Sequence, residues 1–528
     1  METVREITVD ARRGKGPLDR WATACASASR AYLFLRRDHQ EHLKLAAREC
    51  GFRYVRFHGL FQDDMGVYRE DRDGDPIYSW QYVDQVYDFL MDIGLRPIVV
   101  FDFMPEALAS GSRTVYWERA NVTPPRDYHK WAALVRETVK HFTERYGQEE
   151  VNRWLFEVWN EPDNPPFFTG DFGEYCKLYD CTARAVKSVC GDYRVGGPAI
   201  AGNPEWMTGL IGYCTKHTVP LDFVSTHTYC LRWNFEPGRT APPPGSPQWR
   251  IPAWKPGPSW ALGNVIYDPN GGEQAVDTAL QAVAQSPQPQ LPVYFTEFGL
   301  SCDYWDPLRD AYESASYLLS RLKRVWGKVR GMAYCEVSDV FEEDGPPTGH
   351  FHGGFGLINL QGIRKPTFYA YRFLHDLADT QLACEDDEAI ATRGENGGVK
   401  VLFWNSAFRQ DEENRVYYLR ERRPRELGTA RLRVTGLAAG EYTYRLSGVG
   451  YRRGDPFTLY REMGSPASMS RAEVRALSDA SSDLVLTEAR VTVGTDGVFE
   501  AETAVRENDV FFAELTPAAP SDVNPARQ

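Results

Sequence analysis

Short apolar runs alternate with amphipathic helical stretches from about residue 16 to residue 380. The runs are rich in β-branched and aromatic residues, as buried strands are, and the stretches between them carry apolar residues three or four positions apart, as helices do. Eight candidate strands follow this pattern, at residues 23–29, 54–58, 97–103, 154–160, 194–200, 223–229, 293–298 and 331–337. Eight strand–helix units in succession predict an α/β fold, the closed (β/α)8 TIM barrel, whose functional residues lie on the loops at the C-terminal ends of the strands.

The pattern changes after about residue 380. Alternating apolar and polar positions, as in 400–404 and 442–446, replace the helical spacing, and glycines separate the runs. This alternation is typical of an antiparallel β-sandwich. We therefore divide the chain into four parts: an N-terminal strand that pairs with the sandwich (1–15), the barrel (16–380), the sandwich as an accessory domain (381–517) and a flexible tail (518–528).

One loop is unlike the other connections. Residues 232–262, between the sixth and seventh strands, contain three consecutive prolines at 242–244 and four tryptophans, and we call this segment the proline–tryptophan loop. It is too aromatic for a passive linker. Because it follows the C-terminal end of a strand, it could wall the functional site or form a contact between subunits, and the sequence leaves both open.

Composition narrows the function classes. The formal net charge of −13 disfavours nucleic acid and anionic membranes as partners, because both call for clustered Lys and Arg. Aromatic residues make up 13% of the chain, and their flat faces can stack on sugar rings as well as fill a core, so the excess weakly favours a carbohydrate ligand.

The chain carries no sign of export in its sequence. The N-terminus lacks an apolar run after a basic region, and no stretch approaches the length needed to cross a bilayer, so we expect a cytoplasmic protein without a membrane partner. The ten cysteines show no paired spacing, which predicts free thiols.

Two glutamates, each at the end of a candidate strand, suggest a catalytic function. Glu161 closes an apolar run in Trp159-Asn160-Glu161-Pro162, where proline stops the strand, and Glu297 ends the seventh candidate strand. Either could be a polar strand end of the kind any barrel supplies. Glycoside cleavage, however, needs two carboxylates on opposite sides of the bond, one to protonate the departing oxygen and one to stabilise the sugar cation.

The pairing of Glu161 on strand four with Glu297 on strand seven resembles the retaining glycoside hydrolase clan of (β/α)8 barrels. More narrowly, the chain resembles glycoside hydrolase family 39, the β-xylosidase and α-L-iduronidase family. Further segments that carry this resemblance are 56–60 with Asp63-Asp64, 103–109, 338–343 and 351–357. They run in order through the whole barrel.

The resemblance implies roles for individual residues. Glu161 is expected to be the general acid/base and Glu297 the nucleophile, with the two carboxyl groups about 5 to 5.5 Å apart if the mechanism is retaining. Residues expected to contact the sugar are Asn160, His58, Asp64, Tyr116, His227, Tyr229 and Glu343. The alternative is polar packing for His58, His227 and Tyr229, an exposed loop position for Tyr116, and simple solvation for one of Glu342 and Glu343. Arg56 could keep Glu297 charged or form an interior ion pair with Glu157, and the sequence favours neither.

Two positions depart from the family pattern. Cys335, in Tyr334-Cys335-Glu336-Val337, stands where the xylosidases carry a tryptophan, and Gly299 stands where an asparagine is usual. Both changes are expected to enlarge the sugar subsite, which would let a hexoside fit.

The sequence therefore predicts a retaining exo-β-xylosidase that releases terminal xylose from short oligosaccharides, without a cofactor. A β-glucosidase, β-galactosidase or other hexosidase is the alternative within the family, and a non-catalytic sugar-binding protein is the alternative from another class. His350 and His352 are spaced like metal ligands, but His352 lies in the family's own 351–357 segment and His350 directly precedes it, so no metal is expected. A homo-oligomer is compatible with the proline–tryptophan loop.

Overall fold

The computed structural model describes residues 4–233, 265–268, 270–347, 349–408, 418 and 422–518. Eight parallel strands close into a barrel in chain order, and the eighth pairs with the first through Tyr334 and Ala26. The barrel strands are Cys25–Arg30, Tyr54–His58, Arg96–Phe101, Leu155–Val158, Arg194–Ile200, Phe223–Tyr229, Val293–Gly299 and Gly331–Tyr334. All eight lie where the apolar runs predicted them, and the predicted TIM barrel is confirmed.

One long helix follows each barrel strand in the described part of the chain. These helices are Arg37–Cys50, Gln81–Asp92, Tyr128–Tyr146, Phe172–Val189, Pro204–His217, Gly271–Ala284, Glu313–Arg324 and Pro366–Asp376. Local sequence sets several of their ends: Asp127 accepts backbone N–H bonds at the start of the third helix, and Gly51, with a φ of 72°, ends the first. The helices pack their apolar faces on the outside of the barrel.

Two antiparallel-rich sheets follow the barrel. A seven-stranded sheet contains, in spatial order, Gly14–Pro17, Thr380–Leu382, Ala389–Arg393, Val399–Trp404, Val510–Pro517, Gly440–Val449 and Val485–Val493. A three-stranded sheet contains Val4–Asp10, Glu426–Thr435 and Phe499–Arg506. Apolar side chains from both sheets, among them Ile7, Phe403 and Leu432, share one core. Two helices, Pro456–Glu462 and Arg471–Ser482, lie beside them.

The N-terminal residues belong to these sheets. Val4–Asp10 runs parallel to Glu426–Thr435, and Gly14–Pro17 pairs with Thr380–Leu382 at the point where the chain leaves the barrel. The chain therefore enters and leaves the barrel through the seven-stranded sheet.

Small hairpins lie in the loops at the barrel mouth. They pair Tyr68–Glu70 with Pro76–Tyr78, Thr114–Val115 with Ala120–Asn121, and Leu231–Trp233 with Val265–Tyr267. The last hairpin flanks the proline–tryptophan loop. Residues 234–262 of this loop lie outside the described residues, as do residues 519–528 of the predicted tail. None of the helices in the described ranges combines the length and apolar character needed to cross a membrane. All ten cysteines lie in the described residues and none of them forms a disulfide bond, as predicted.

Candidate active site

The chain turns sharply where the fourth barrel strand delivers Glu161. Trp159 and Glu161 have φ angles of 69° and 45°, in the left-handed region that non-glycine residues rarely adopt. The Glu161 N–H donates to the carbonyl of Ala199 on the next strand at 2.9 Å, and the Trp159 indole N–H donates to the carbonyl of Phe167 at 2.8 Å. Such conformations cost on the order of 1–3 kcal/mol each and persist where the surroundings hold them. The turn brings the Glu161 carboxyl to the barrel mouth.

Glu297 stands close to Glu161 because the sixth strand bridges them. His227 on the sixth strand is in register with Glu297 on the seventh. One oxygen of Glu161, one of Glu297 and one ring nitrogen of His227 all lie within 4.8 Å of one another. One oxygen of each carboxylate thus lies within 4.8 Å of the other. This upper limit is compatible with the roughly 5 to 5.5 Å between the carboxyl groups of retaining glycosidases and is below the roughly 6.5–9.5 Å of inverting ones.

Glu297 is surrounded by groups that stabilise its charge. Arg56 donates to one carboxylate oxygen at 2.5 Å, the Tyr229 hydroxyl donates to the other at 2.6 Å, and Nδ1 of His227 lies 3.6 Å away. Burial alone would raise the pKa of Glu297, but His227, Arg56 and Tyr229 together lower it to about 2. The carboxyl is therefore ionised over the whole physiological range.

Arg56 combines both roles that the sequence left open. Its side chain is 0% exposed and donates to Glu157 at 2.8 Å as well as to Glu297. It also donates to the Asn160 amide oxygen at 2.7 Å, which turns the NH2 of that amide away from the guanidinium. Burial would lower the pKa of Arg56, but Glu157 and Glu297 raise it, so the cation is permanent. One arginine thus fixes the nucleophile candidate and the amide beside Glu161.

Glu161 has a different environment. Nδ1 of His227 lies 2.9 Å from one of its oxygens, and the Asn164 amide donates to the other at 3.2 Å. The His227 side chain is fully buried; burial lowers the pKa of this imidazole, but Glu297 and Glu161 raise it by more. The His227 ring therefore lies between the two carboxylates, and its Nδ1 is close to an oxygen of each.

A third carboxylate, Glu343, forms a second cluster across the mouth. Nε2 of His58 lies 2.8 Å from one Glu343 oxygen, and the Tyr304 hydroxyl donates to the other at 2.9 Å. The Tyr116 ring stacks on His58 with centroids 5.7 Å apart, and the N–H of Trp117 donates to the Glu343 carbonyl. Burial and the charge of Glu297 raise the pKa of Glu343 well above its usual range.

Two acidic residues of the motifs are engaged away from the pair Glu161 and Glu297. Asp64 forms an ion pair with Arg30, and Glu342 forms one with Arg36. Arg30, the ion-pair partner of Asp64, is the register partner of His58 on the neighbouring strand.

Sequence reasoning missed two residues at the site. Tyr304 lies in an irregular loop after strand seven, and no local pattern marks it. Glu336 accepts bonds from the Cys335 thiol at 2.9 Å and the Ser27 hydroxyl at 3.3 Å, and also from the backbone N–H of Ser29. Burial raises the pKa of Glu336 to about 7. An acidic residue within the apolar run 331–337 was the signal that could have revealed it.

The spacing of Glu161, His227 and Glu297 would also suit three ligands of a metal ion. The donor set fits poorly, because the Arg56 guanidinium already neutralises Glu297 and a divalent cation would lie next to it. Of the two histidines that are spaced like metal ligands, His352 directs Nδ1 to the carbonyl of Gly349 and His350 directs Nδ1 to the side-chain amide of Gln361.

Comparison with known proteins gives consistent matches. The family model described as "Glycosyl hydrolases family 39" matches residues 5–239 and 270–498. The chain is 36% identical to a β-xylosidase of Geobacillus stearothermophilus, over 93% of this chain and 92% of that one. It is 33% identical to a β-xylosidase of Caldicellulosiruptor saccharolyticus, over 90% and 92%.

Solved structures resemble this one closely. The structure of the GH39 enzyme from Xanthomonas axonopodis pv. citri has a TM-score of 0.90 at 36% identity, covering 98% of both chains. A monomeric β-xylosidase from Caulobacter crescentus CB15 has a TM-score of 0.89 at 34% identity, covering 98% of this chain and 100% of that one.

Proposed function

Since the chain belongs to family 39 of the glycosyl hydrolases and is a glycoside hydrolase, we propose that it is a retaining exo-β-xylosidase that releases terminal xylose from short oligosaccharides. The observation that carries the proposal is the contrast between two neighbouring carboxylates. Glu297 is held ionised by Arg56 and Tyr229, whereas the hydrogen-bond partners of the Glu161 carboxylate among the described side chains are His227 and Asn164. A permanently ionised carboxylate suits a nucleophile, and its neighbour suits the proton donor.

In the first step of the proposed reaction, a Glu297 oxygen attacks the anomeric carbon. The bond from that carbon to the leaving oxygen breaks, and Glu161 donates its proton to that oxygen. The product is a glycosyl ester on Glu297 and a free alcohol or shorter oligosaccharide. Arg56 and Tyr229, which stabilised the carboxylate charge, hold the ester in place.

The second step reverses the proton flow. Glu161, now a carboxylate, removes a proton from water, whose oxygen attacks the anomeric carbon and displaces Glu297. Two inversions give net retention of the β configuration. We further propose that Glu343, held by His58 and Tyr304, binds hydroxyls of the sugar, that Tyr116 walls the subsite, and that the Asn160 amide donates to a hydroxyl near the cleaved bond.

The β-xylosidase names of the two relatives support xylose as the sugar. Cys335 favours the second candidate, a hexosidase, because this thiol is buried at a position where the resemblance to the xylosidases implies a large ring. Gly299 supports this candidate less, since the Tyr229 ring already packs against it.

A panel of aryl β-glycosides distinguishes the two candidates. The proposal predicts the highest kcat/KM on the xyloside, and higher activity on a glucoside or galactoside would replace it with the hexosidase. Proton NMR of the first product should show β-xylose before mutarotation, and α-xylose would exclude retention.

Site variants test the assignment of the two carboxylates. Glu161→Ala with added azide should release β-xylosyl azide, because the small anion attacks the ester without needing a general base. Glu297→Ala should give no such product, since no ester forms. β-Xylosyl azide from Glu297→Ala in place of Glu161→Ala would reverse the roles.

A further inference from the structure

Gly299 ends the seventh barrel strand, two residues after Glu297. It is the register partner of Tyr229 on the sixth strand, and the N–H of Cys230 donates to its carbonyl at 3.2 Å. On the other side, the N–H of Cys335 donates to the Phe298 carbonyl at 2.8 Å. Backbone hydrogen bonds therefore join three strands around Gly299 and limit how far these strands can move apart.

The ring of Tyr229 occupies the space that a side chain at position 299 would need. A Cβ added to Gly299 would lie 3.0 Å and 3.1 Å from Cε1 and Cδ1 of Tyr229, and 3.5 Å from the carbonyl oxygen of Cys335. Carbon atoms prefer about 3.5–4.0 Å, so the ring would have to give way. Glycine within a strand often marks such a close approach.

We propose that Gly299 is a positioning residue: because it lacks a Cβ, the Tyr229 ring lies against the strand and holds its hydroxyl on Glu297. This inference rests on the proposed role of Glu297 as the nucleophile. The sequence alone predicted that Gly299 enlarges the sugar subsite. In the structure, the Tyr229 ring occupies the volume that a side chain at position 299 would fill.

The hydroxyl contact gives the packing a chemical consequence. Tyr229 donates to Glu297 at 2.6 Å, and this bond is one of the contributions that lower the pKa of the carboxyl against its burial. A hydrogen bond weakens as its donor is displaced or tilted. A larger residue at position 299 should therefore raise the pKa of Glu297. It should also weaken the stabilisation that the Glu297 carboxylate gives to the sugar cation.

A graded series tests the proposal. Tyr229→Phe removes the donor and should lower kcat by about 10- to 100-fold, as expected for a hydrogen bond to a charged group. Gly299→Ala should cause part of this loss and Gly299→Val most of it, and both should move the acidic limb of the kcat/KM profile to higher pH. Gly212→Ala is the matched control, because a Cβ at that helical position meets nothing within 4 Å; it should behave like the parent.

The double variant separates positioning from a general structural effect. In the Tyr229→Phe background, Gly299→Ala should not shift the acidic limb further, because the hydroxyl is already gone. The proposal is overturned if Gly299→Ala and Gly299→Val keep the parent's kcat and acidic limb, or if Gly299→Ala shifts the limb equally with and without the hydroxyl. Thermal unfolding of each variant identifies any that has simply lost its fold.

A measurement without turnover completes the test. Carboxyl ¹³C NMR of glutamate-labelled protein, with the Glu297 signal assigned by its absence in Glu297→Gln, should show this group titrating at higher pH in Gly299→Ala and in Gly299→Val. An unchanged titration in both would overturn the proposal. If the parent cleaves another β-glycoside better than a xyloside, the xylosidase assignment fails while this comparison still decides the role of Gly299.

Discussion

Replacing Arg56 with leucine should both destabilise the protein and make Glu297, its proposed nucleophile, less reactive. Arg56 is fully buried and donates to Glu157, Glu297 and Asn160 at 2.8, 2.5 and 2.7 Å. Removing one partner of a buried ion pair costs about 3–5 kcal/mol, because the other charge is left uncompensated. We expect Arg56→Leu to lower the free energy of unfolding by about this amount at neutral pH, measured by urea denaturation.

The same change has a defined pH dependence. The pKa of Glu297 is lowered from 4.5 to about 2 in the folded protein, so its contribution to stability is present above about pH 4.5 and is lost as pH falls through about 2. Without Arg56, burial raises this pKa and the contribution shrinks. The stability difference between parent and variant should therefore narrow as pH falls from about 5 toward 2, and the acidic limb of kcat/KM should move to higher pH.

Two controls make the result interpretable. Arg56→Leu combined with Glu157→Leu removes the unpaired interior charge, and should recover stability without restoring the acidic limb. Arg96→Leu breaks the partly exposed pair of Arg96 with Glu150 and should cost only about 0–1 kcal/mol. The reasoning is refuted if Arg56→Leu costs no more than Arg96→Leu and leaves the acidic limb in place.

Three further changes probe the rest of the site. Tyr304→Phe should raise KM for xylosides by about 3- to 10-fold with little change in kcat, because the Tyr304 hydroxyl orients Glu343. Steady-state kinetics measures both constants, and an equally large fall in kcat would contradict the prediction. Cys335→Trp should raise the ratio of xyloside to glucoside kcat/KM, because a large ring would replace the buried thiol. An unchanged ratio would count against that position as a specificity determinant. Dialysis against EDTA should leave activity unchanged, because Arg56 already neutralises Glu297; activity lost to EDTA and restored by a divalent ion would show otherwise.

The barrel could be predicted because each strand is a local apolar run. Strands such as Phe223–Tyr229 are buried on both sides, so their composition alone identifies them. Glu161 and Glu297 could be found for the same reason, since a carboxylate at the end of such a run is conspicuous. Their closeness followed from the barrel topology.

The contacts between loops could not be predicted in the same way. Tyr304 reaches Glu343 across 39 positions, and Asp64 pairs with Arg30 across 34. Neither pairing leaves a periodic pattern, because each depends on how loops from different strands fold over the barrel mouth. The sequence likewise could not decide whether Arg56 served Glu157 or Glu297, and a single guanidinium with several donors serves both.

The interpretation of Gly299 shows a second limit. From the sequence, a glycine in place of asparagine meant more room for the sugar. In the structure the cross-strand neighbour Tyr229 lies against the glycine and uses that room to reach Glu297. The effect of a missing side chain depends on the group that fills its place, and that group lies on another strand.

The most direct test of the account is to trap the covalent intermediate. A 2-deoxy-2-fluoro-β-xyloside with a good leaving group should inactivate the enzyme, because fluorine slows the second step more than the first. Peptide mass spectrometry should then place one fluoroxylosyl group on Glu297, and Glu297→Gln should take up none. A label on Glu161, Glu336 or Glu343, or turnover of the reagent by Glu297→Gln at the parent's rate, would contradict the central claim.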